Sequence, residues 1–194
     1  MRLKTFSIMF LAISAACLGS ERLTTRIVPQ SSAEKKGNRI NCWQPFYVVL
    51  TNPSKKSYSI WRSGSSWSEQ LLSFEVVDST GSNFLLQRKN GAGDSNTPLP
   101  YQLKSGDQYV IPVVFDETWI GYPQNWKSQK VELKAIFEIK EDKIENDPNA
   151  VKIARENHLW IGRSESESIQ TVLEIKTGEN KLKMKQFLDK EKKK

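Results

Sequence analysis

The sequence predicts an all-β domain: an antiparallel β-sandwich of about seven to nine short strands, with one short helix in a late connection. Two observations favour this fold class. Short runs of β-branched and aromatic residues alternate with period two, as they do in strands that bury one face. Turn residues such as Asn, Pro, Gly and Asp separate these runs. The chain has 194 residues, which is enough for one domain with tails.

The first half of the body contains four of these runs. Phe46–Thr51 and Tyr58–Trp61 are β-branched and aromatic, and a turn with Asn and Pro separates them. In residues 72–77 the apolar side chains fall mainly on one face. The loop at 78–82 offers a glycine for a positive φ, so we expect a hairpin that returns along residues 84–86.

The second half contains the most regular run. Residues 131–139 alternate cleanly between apolar and mostly charged side chains. Residues 109–115 are apolar on both faces, which predicts a strand covered on both sides. Pro112 cannot donate to a ladder, which predicts an edge or a bulge at that point. Two further runs lie at 159–161 and 169–175.

One short helix is predicted between the last strands. Asp147 can cap it, Pro148 suits its first turn, and residues 150–156 can continue it. No repeat and no second core is visible, so residues 41–176 are predicted to form a single β-sandwich domain.

Three segments carry a resemblance to a known class of domain. They are VVLTNPS at 48–54, LSFEVVDSTG at 72–81 and LKSGD at 103–107. Their order resembles exported bacterial proteins with an immunoglobulin-like or fibronectin III-like β-sandwich. The resemblance covers the body and implies a fold but no activity. The body lacks the cysteine pair between sheets that antibody domains have.

The first 17 residues have the pattern of a secretory signal peptide. Two basic residues precede an apolar run at 6–16, which is shorter than the ~20 residues that span a bilayer. We therefore expect the rest of the chain to be exported.

Cys17 ends this pattern and has three alternative fates. The segment ISAAC at 13–17 resembles a bacterial lipobox, in which the cysteine is lipidated and becomes the mature N-terminus. Ser14 stands where that pattern has Leu, Val or Ile, so ordinary cleavage between small residues is an alternative. A disulfide between Cys17 and Cys42 is the third. A lipidated Cys17 would anchor the domain to a membrane.

The formal net charge of +7 lies at the ends of the chain. It divides into +2 for residues 1–17, +3 for 18–40, −3 for 41–175 and +5 for 176–194. The folded body is therefore not expected to bind nucleic acid. Residues 18–40 are polar without a period, which predicts a flexible tether, and 177–194 predict a basic, disordered tail.

The sequence predicts no enzyme, no cofactor and no metal. His158 is the only histidine, and no serine lies in a G-x-S-x-G motif. No calcium loop or phosphate-binding glycine loop is present.

Tryptophan is the unusual component, with six residues. Trp61 and Trp67 flank a Ser/Gly loop, and Trp119, Tyr122 and Trp126 lie in a second aromatic loop. Such rings can stack on sugars or anchor a protein partner, so these five are the predicted binding residues. The alternative is that the rings cap the core.

We therefore expect an exported, surface-tethered, non-enzymatic module that binds a protein or an envelope polymer. It would be periplasmic, or a membrane-anchored lipoprotein that faces the periplasm or the exterior. The alternatives are a carbohydrate-binding module, which would hold a glycan on the Trp loops, and a loop-based proteinase inhibitor.

Overall fold

A computed structural model of the chain describes residues 22–29, 39–41, 44–63, 68, 70–89, 98–123 and 128–174. Within these residues it contains twelve strands and two helices, which confirms the all-β class. The strands are β1 (Thr24–Val28), β2 (Arg39–Ile40), β3 (Phe46–Thr51), β4 (Tyr58–Trp61), β5 (Leu72–Asp78), β6 (Asn83–Arg88), β7 (Pro100–Leu103), β8 (Gln108–Val113), β9 (Trp119–Ile120), β10 (Ser128–Ile139), β11 (Gly162–Glu165) and β12 (Ile169–Glu174). The helices are α1 (Glu141–Glu145) and α2 (Pro148–Glu156). The strand number exceeds the predicted seven to nine because β1, β2, β7 and β9 were not predicted as strands, and β2 and β9, with two residues each, are too short to show a period. The run predicted at 159–161 is not a strand, and β11 follows it at Gly162–Glu165.

Two larger sheets form the layers of a sandwich-like fold. One has seven strands, in the order β2-β12-β10-β5-β6-β9, with β11 paired to the end of β10. The other has three strands, in the order β1-β3-β8, and β4 with β7 forms a separate ladder. Every pair is antiparallel except β12 with β2. The regular run at 131–139 lies within β10, which pairs with β5 on one side and with β11 and β12 on the other.

Aromatic rings fill the core between the two larger sheets. The ring of Phe46 in β3 lies 5.6 Å from that of Phe74 in β5. The Phe115 ring, just after β8, lies 5.1 Å from each of them. All three side chains are fully buried, and such edge-on contacts add about 0.5–1.5 kcal/mol to the effect of burial.

A buried asparagine joins two turns. Asn52 follows β3 and is 0% exposed. Its Nδ2 donates to the carbonyl oxygens of Lys56, at 2.7 Å, and Leu103, at 3.0 Å. Its Oδ1 accepts hydrogen bonds from the main-chain N–H of Ser54, at 3.1 Å, and from the hydroxyl of Ser54, at 2.7 Å. All four hydrogen-bonding positions of the amide are therefore used, as a buried amide requires.

The predicted tether needs correction where the structure describes it. Residues 24–28 form β1, which pairs with β3, and residues 39–40 form β2. Thr25 Oγ1 lies 2.7 Å from Ser164 Oγ, which donates to the carbonyl oxygen of Leu23 at 2.7 Å. Leu23, Thr25 and Ile27 are buried on one face. This alternation is short and has a threonine at its centre, so the sequence alone did not reveal it. The signal peptide, Cys17 and the tail at 177–194 lie outside the described residues.

The prediction for β8 was right about its edge and wrong about its burial. The strand pairs only with β3 in the described part of the chain, which confirms that Pro112 lies at an edge. Val110 is 49% exposed and Pro112 is also exposed, so only one face of β8 is covered. The apolar pattern misled here because proteins also carry apolar side chains on their surface.

The predicted helix forms as α2. The Asp147 side chain accepts hydrogen bonds from the main-chain N–H groups of Asn149, at 2.8 Å, and Ala150, at 3.3 Å. Pro148 is the first helical residue. The preceding helix α1 was not predicted, because five residues that bury only Ile144 are too short to show a helical period.

Candidate functional site

The structure places two of the predicted binding residues in the core. Trp61 and Trp119 are each 2% exposed, so neither ring offers a face for stacking on a ligand. For these two residues the alternative of core packing applies, since large aromatic rings gain most from burial. Tyr122 is half-buried and packs against the core. Trp67 and Trp126 lie outside the described residues.

Described residues next to both loops nevertheless line one cleft of about 310 Å³, which we call the loop cleft. The first loop contributes Ser63 and Ser68, and the second contributes Trp119 at its start. The remaining lining comes from β8, from the start of β5 and from the end of β6. The sequence predicted that these loops form a binding surface with exposed aromatic rings. The rings of Trp61 and Trp119 are instead buried, and only Trp119 is among the residues that line the cleft.

The wall of the loop cleft is mainly apolar. Leu72 projects from β5, and Ile111 and Val113 project from β8. Because β8 is an edge strand, these side chains lie where the two sheets part. The cleft is therefore an opening into the side of the sandwich core.

Trp119 is fixed at the back of this cleft. Its ring centroid lies 5.4 Å from that of Phe74 and 5.1 Å from that of Phe115. Its main chain pairs with β6 opposite Arg88, and its main-chain N–H donates to the carbonyl oxygen of Asp116 at 3.2 Å. The indole Nε1 is buried, and none of the described residues accepts a hydrogen bond from it. Such a group is a rare and costly feature of a folded protein.

Arg88 supplies the charge of the loop cleft. Its guanidinium carbon lies 5.6 Å from the centroid of the Trp119 ring, within the range of a cation–π contact. Arg88 is half-buried, and no carboxylate among the described residues forms an ion pair with it. Arg88 was not among the residues predicted from the sequence. The alternation of Phe84, Leu86 and Arg88 with exposed residues could have placed it on the inward face of β6.

Hydrogen bonds fix the first loop against β8. The Tyr109 hydroxyl accepts a hydrogen bond from the main-chain N–H of Ser63 at 2.8 Å and lies 2.7 Å from its Oγ. The ring of Tyr109 contacts that of Tyr101, with centroids 4.7 Å apart. These contacts fix the position of Ser63, which lines the loop cleft.

A second cleft, of about 1000 Å³, lies between β1 and β11. We call it the N-terminal cleft, and its lining includes Arg22, Tyr58, Trp160, Ile161 and Arg163. Ile161 is 45% exposed, and the buried hydroxyl of Tyr58 has no hydrogen-bond partner among the residues that the structure describes. Nothing in the sequence predicted this cleft, because it requires β1 to pair as a strand.

A network of ion pairs lies on the outer face of the large sheet. Lys134 Nζ is 2.7 Å from Glu75 and 2.9 Å from Glu165, and Arg163 Nε is 2.7 Å from Glu165. Hydrogen bonds from Lys134 and Arg163 lower the pKa of Glu165, and those with Glu75 and Glu165 raise the pKa of Lys134. Each of these charges has a partner of opposite sign. The network therefore links β5, β10 and β11 across this face of the sheet.

No catalytic grouping is visible in the described ranges. They contain no group of three His, Cys, Asp or Glu side chains that could hold a metal ion. His158 is exposed and follows α2 with a φ of 51°, a left-handed conformation that ends the helix. None of the helices described is long and apolar enough to cross a membrane.

Comparisons with protein-family models, with curated proteins and with solved structures found no match to this chain.

Proposed function

We propose that this protein is a non-enzymatic binding module whose loop cleft takes up an acidic, partly apolar group of a protein or an envelope polymer. The observation that carries the proposal is Arg88. It is a half-buried cation without an ion-pair partner among the described residues, and it lies at an apolar cleft between two loops. A buried charge is costly unless it is paired, so a ligand carboxylate would complete the site.

The size of the loop cleft supports a polymer as the ligand. Its volume of about 310 Å³ is at the lower end of the range for ligand pockets, which is about 300–1000 Å³. One residue-sized group fits such a space. A side chain or a chain end of a larger partner is therefore the natural occupant.

The chemistry of the walls supports an acidic group with an apolar part. Leu72, Ile111 and Val113 offer apolar contact, and Arg88 offers up to five N–H donors to an acceptor. A cationic ligand would be repelled by Arg88. A purely apolar ligand would bury the guanidinium without compensation.

The proposal includes export by residues 1–17, lipidation of Cys17 and a place in the periplasm or on a membrane that faces the periplasm or the exterior. The support is the sequence pattern alone. The immunoglobulin-like or fibronectin III-like assignment belongs to the same proposal and is supported by the strand pattern. The mass of the mature protein tests the anchor: acyl groups on an N-terminal Cys17 are expected, and a free N-terminus would contradict it.

We do not extend the proposal to sugar stacking or to proteinase inhibition. The glycan alternative relied on exposed rings, and those of Trp61 and Trp119 are buried. No feature of the described residues favours an inhibitory loop.

The test uses a small probe that matches the cleft. N-acetyl-leucine carries one carboxylate and one apolar side chain, and N-acetyl-leucinamide is its neutral analogue. We expect the carboxylate, and not the amide, to shift the indole N–H signal of Trp119 in NMR titrations. Arg88→Gln should weaken binding about tenfold or more, because a hydrogen bond to a charged group contributes about 1.5–3 kcal/mol.

Lys89→Gln is the matched control, since Lys89 is the exposed neighbour of Arg88 and carries the same charge. It should change the affinity less than about twofold, as expected for an exposed charge. Equal binding of the two probes, or equal effects of the two variants, would contradict the proposal.

A further inference from the structure

We propose that one end of the three-stranded sheet docks on an anionic phospholipid surface beside the Cys17 anchor. We call it the basic end and define it by Arg22, Lys55, Lys56 and Lys104. The inference rests on the proposed function in one respect, which is that lipidation of Cys17 supplies the anchor.

The strand register brings these residues to the same end. Thr24 of β1 pairs with Thr51 of β3, and Thr51 pairs with Gln108 of β8. Because β1 and β8 both run antiparallel to β3, residues 22–23, the turn at 52–57 and the turn at 104–107 all leave the sheet together. The four basic residues therefore share one end, although they come from three parts of the chain.

The two lysine-bearing turns are held together. The Gly106 N–H donates to the Asn52 carbonyl oxygen at 2.8 Å, and the Asn52 N–H donates to the Asp107 carbonyl oxygen at 3.1 Å. The Asn52 side chain donates to the carbonyl oxygens of Lys56 and of Leu103, the last residue of β7 before the second turn. Lys55, Lys56 and Lys104 are all exposed. Their charges are thus presented from a fixed support rather than from loose loops.

The basic end stands out from the charge of the body. Residues 41–175 have a net charge of −3. The two turns at this end nevertheless contain three lysines, and Asp107 is their one carboxylate. Each lysine or arginine near an anionic bilayer favours binding by about fivefold. Beside these residues, Arg22 and the 45% exposed Ile161 both line the N-terminal cleft, so an apolar contact is also available.

The length of chain before β1 decides which face meets the membrane. From Cys17 to Arg22 there are five residues, which reach at most about 18 Å when fully extended. The twelve residues of β10 are about 40 Å long. The anchor is therefore shorter than the domain, and it keeps the Arg22 end near the lipid headgroups. A tether through residue 40, as the sequence predicted, would not have restricted the orientation.

The loop cleft remains accessible in this orientation. It is lined by β8 from residue 111 onwards and by β5, β6 and β9, whereas the basic end lies before residue 108, where β8 begins. The anchor enters at β1, which is at the edge of the three-stranded sheet opposite β8. The basic end would bind the membrane, and the loop cleft near the other end of β8 would bind the partner.

The test measures how the protein binds vesicles when it carries no covalent lipid anchor. The mature chain with Cys17→Ser is sedimented with phosphatidylcholine vesicles, with and without phosphatidylglycerol. The variant Lys55→Gln/Lys104→Gln should reduce binding to the anionic vesicles by about 25-fold. The control Lys89→Gln/Lys130→Gln removes two exposed lysines of the large sheet. It should cost less than about threefold, because neither lysine belongs to the basic end and salt screens more distant charges.

The basic residues of 176–194 are present in every sample. If they alone govern vesicle binding, the two variant pairs will behave alike, and that result would overturn the docking surface. Absence of binding by the parent chain to anionic vesicles would overturn it as well. Two measurements report on the proposed function separately: the binding of N-acetyl-leucine by Lys55→Gln/Lys104→Gln, and the mass of the mature protein. If this variant binds N-acetyl-leucine as the parent does and the mature protein is acylated, failure of the vesicle test overturns only the docking surface.

Discussion

Replacing Asn52 by alanine should lower the free energy of unfolding by about 3–4 kcal/mol. The side chain makes four hydrogen bonds within the buried turn region, and each contributes about 1 kcal/mol net. The change also leaves the Ser54 N–H and the Leu103 carbonyl oxygen buried without these partners. Urea denaturation followed by tryptophan fluorescence measures the effect, because Trp61, Trp119 and Trp160 all lie in the core.

Asn83→Ala is the matched control. Asn83 is the exposed first residue of β6, and its replacement should cost less than about 0.5 kcal/mol. If Asn52→Ala costs less than about 1 kcal/mol, the two turns do not depend on this amide and the reasoning fails. Asn52→Asp adds a second check, because its carboxylate would face two carbonyl oxygens. Its pKa should be raised, so that variant should be relatively more stable in acid than at neutral pH.

Three further predictions concern local structure. Gly121→Ala should destabilise the fold more than Gly81→Ala in the same denaturation assay. At Gly121, with φ +103°, an added Cβ would overlap the carbonyl oxygen of Leu85 in β6, whereas at Gly81 it would meet nothing within 4 Å. Equal costs would refute this close approach. Asp147→Ala should cost about 1 kcal/mol through loss of the α2 cap, and an unchanged stability would show that the cap is dispensable. Glu165→Gln should cost at most about 1 kcal/mol at pH 7. Because the pKa of Glu165 is lowered, this contribution is present above its ordinary pKa of 4.5 and is lost as the pH falls through the folded-state pKa. A difference from the parent that persists at low pH would contradict the assignment.

The sequence predicted most of the elements that depend on near neighbours. The alternation in 131–139 identified the central strand β10 and its inward face. Gly81, with φ +83°, turns the β5–β6 hairpin, and Asp147 caps α2 as its side-chain chemistry requires. These features follow from the conformational preferences and hydrogen bonds of a few adjacent residues, which any short segment carries with it.

The sequence also indicated that the two aromatic loops belong to one surface. It could not show that the rings of Trp61 and Trp119 point inward, because a tryptophan gains from burial wherever the fold offers space. Nor could it single out Arg88, whose importance depends on the Trp119 ring beside it and on the absence of a carboxylate partner among the described side chains.

By itself, then, the sequence determined the fold class, the principal strands and the cap of the late helix. Only the tertiary structure decided that residues 24–28 form a strand, that β8 is exposed on one face and that Arg88 lies at the loop cleft. Thr25 meets Ser164 across 139 positions of the chain, and Asn52 meets Leu103 across 51. Contacts of this kind depend on which distant segments share a sheet. Local periodicity carries no information on that pairing, because an edge strand is stabilised by its partner rather than by its own composition.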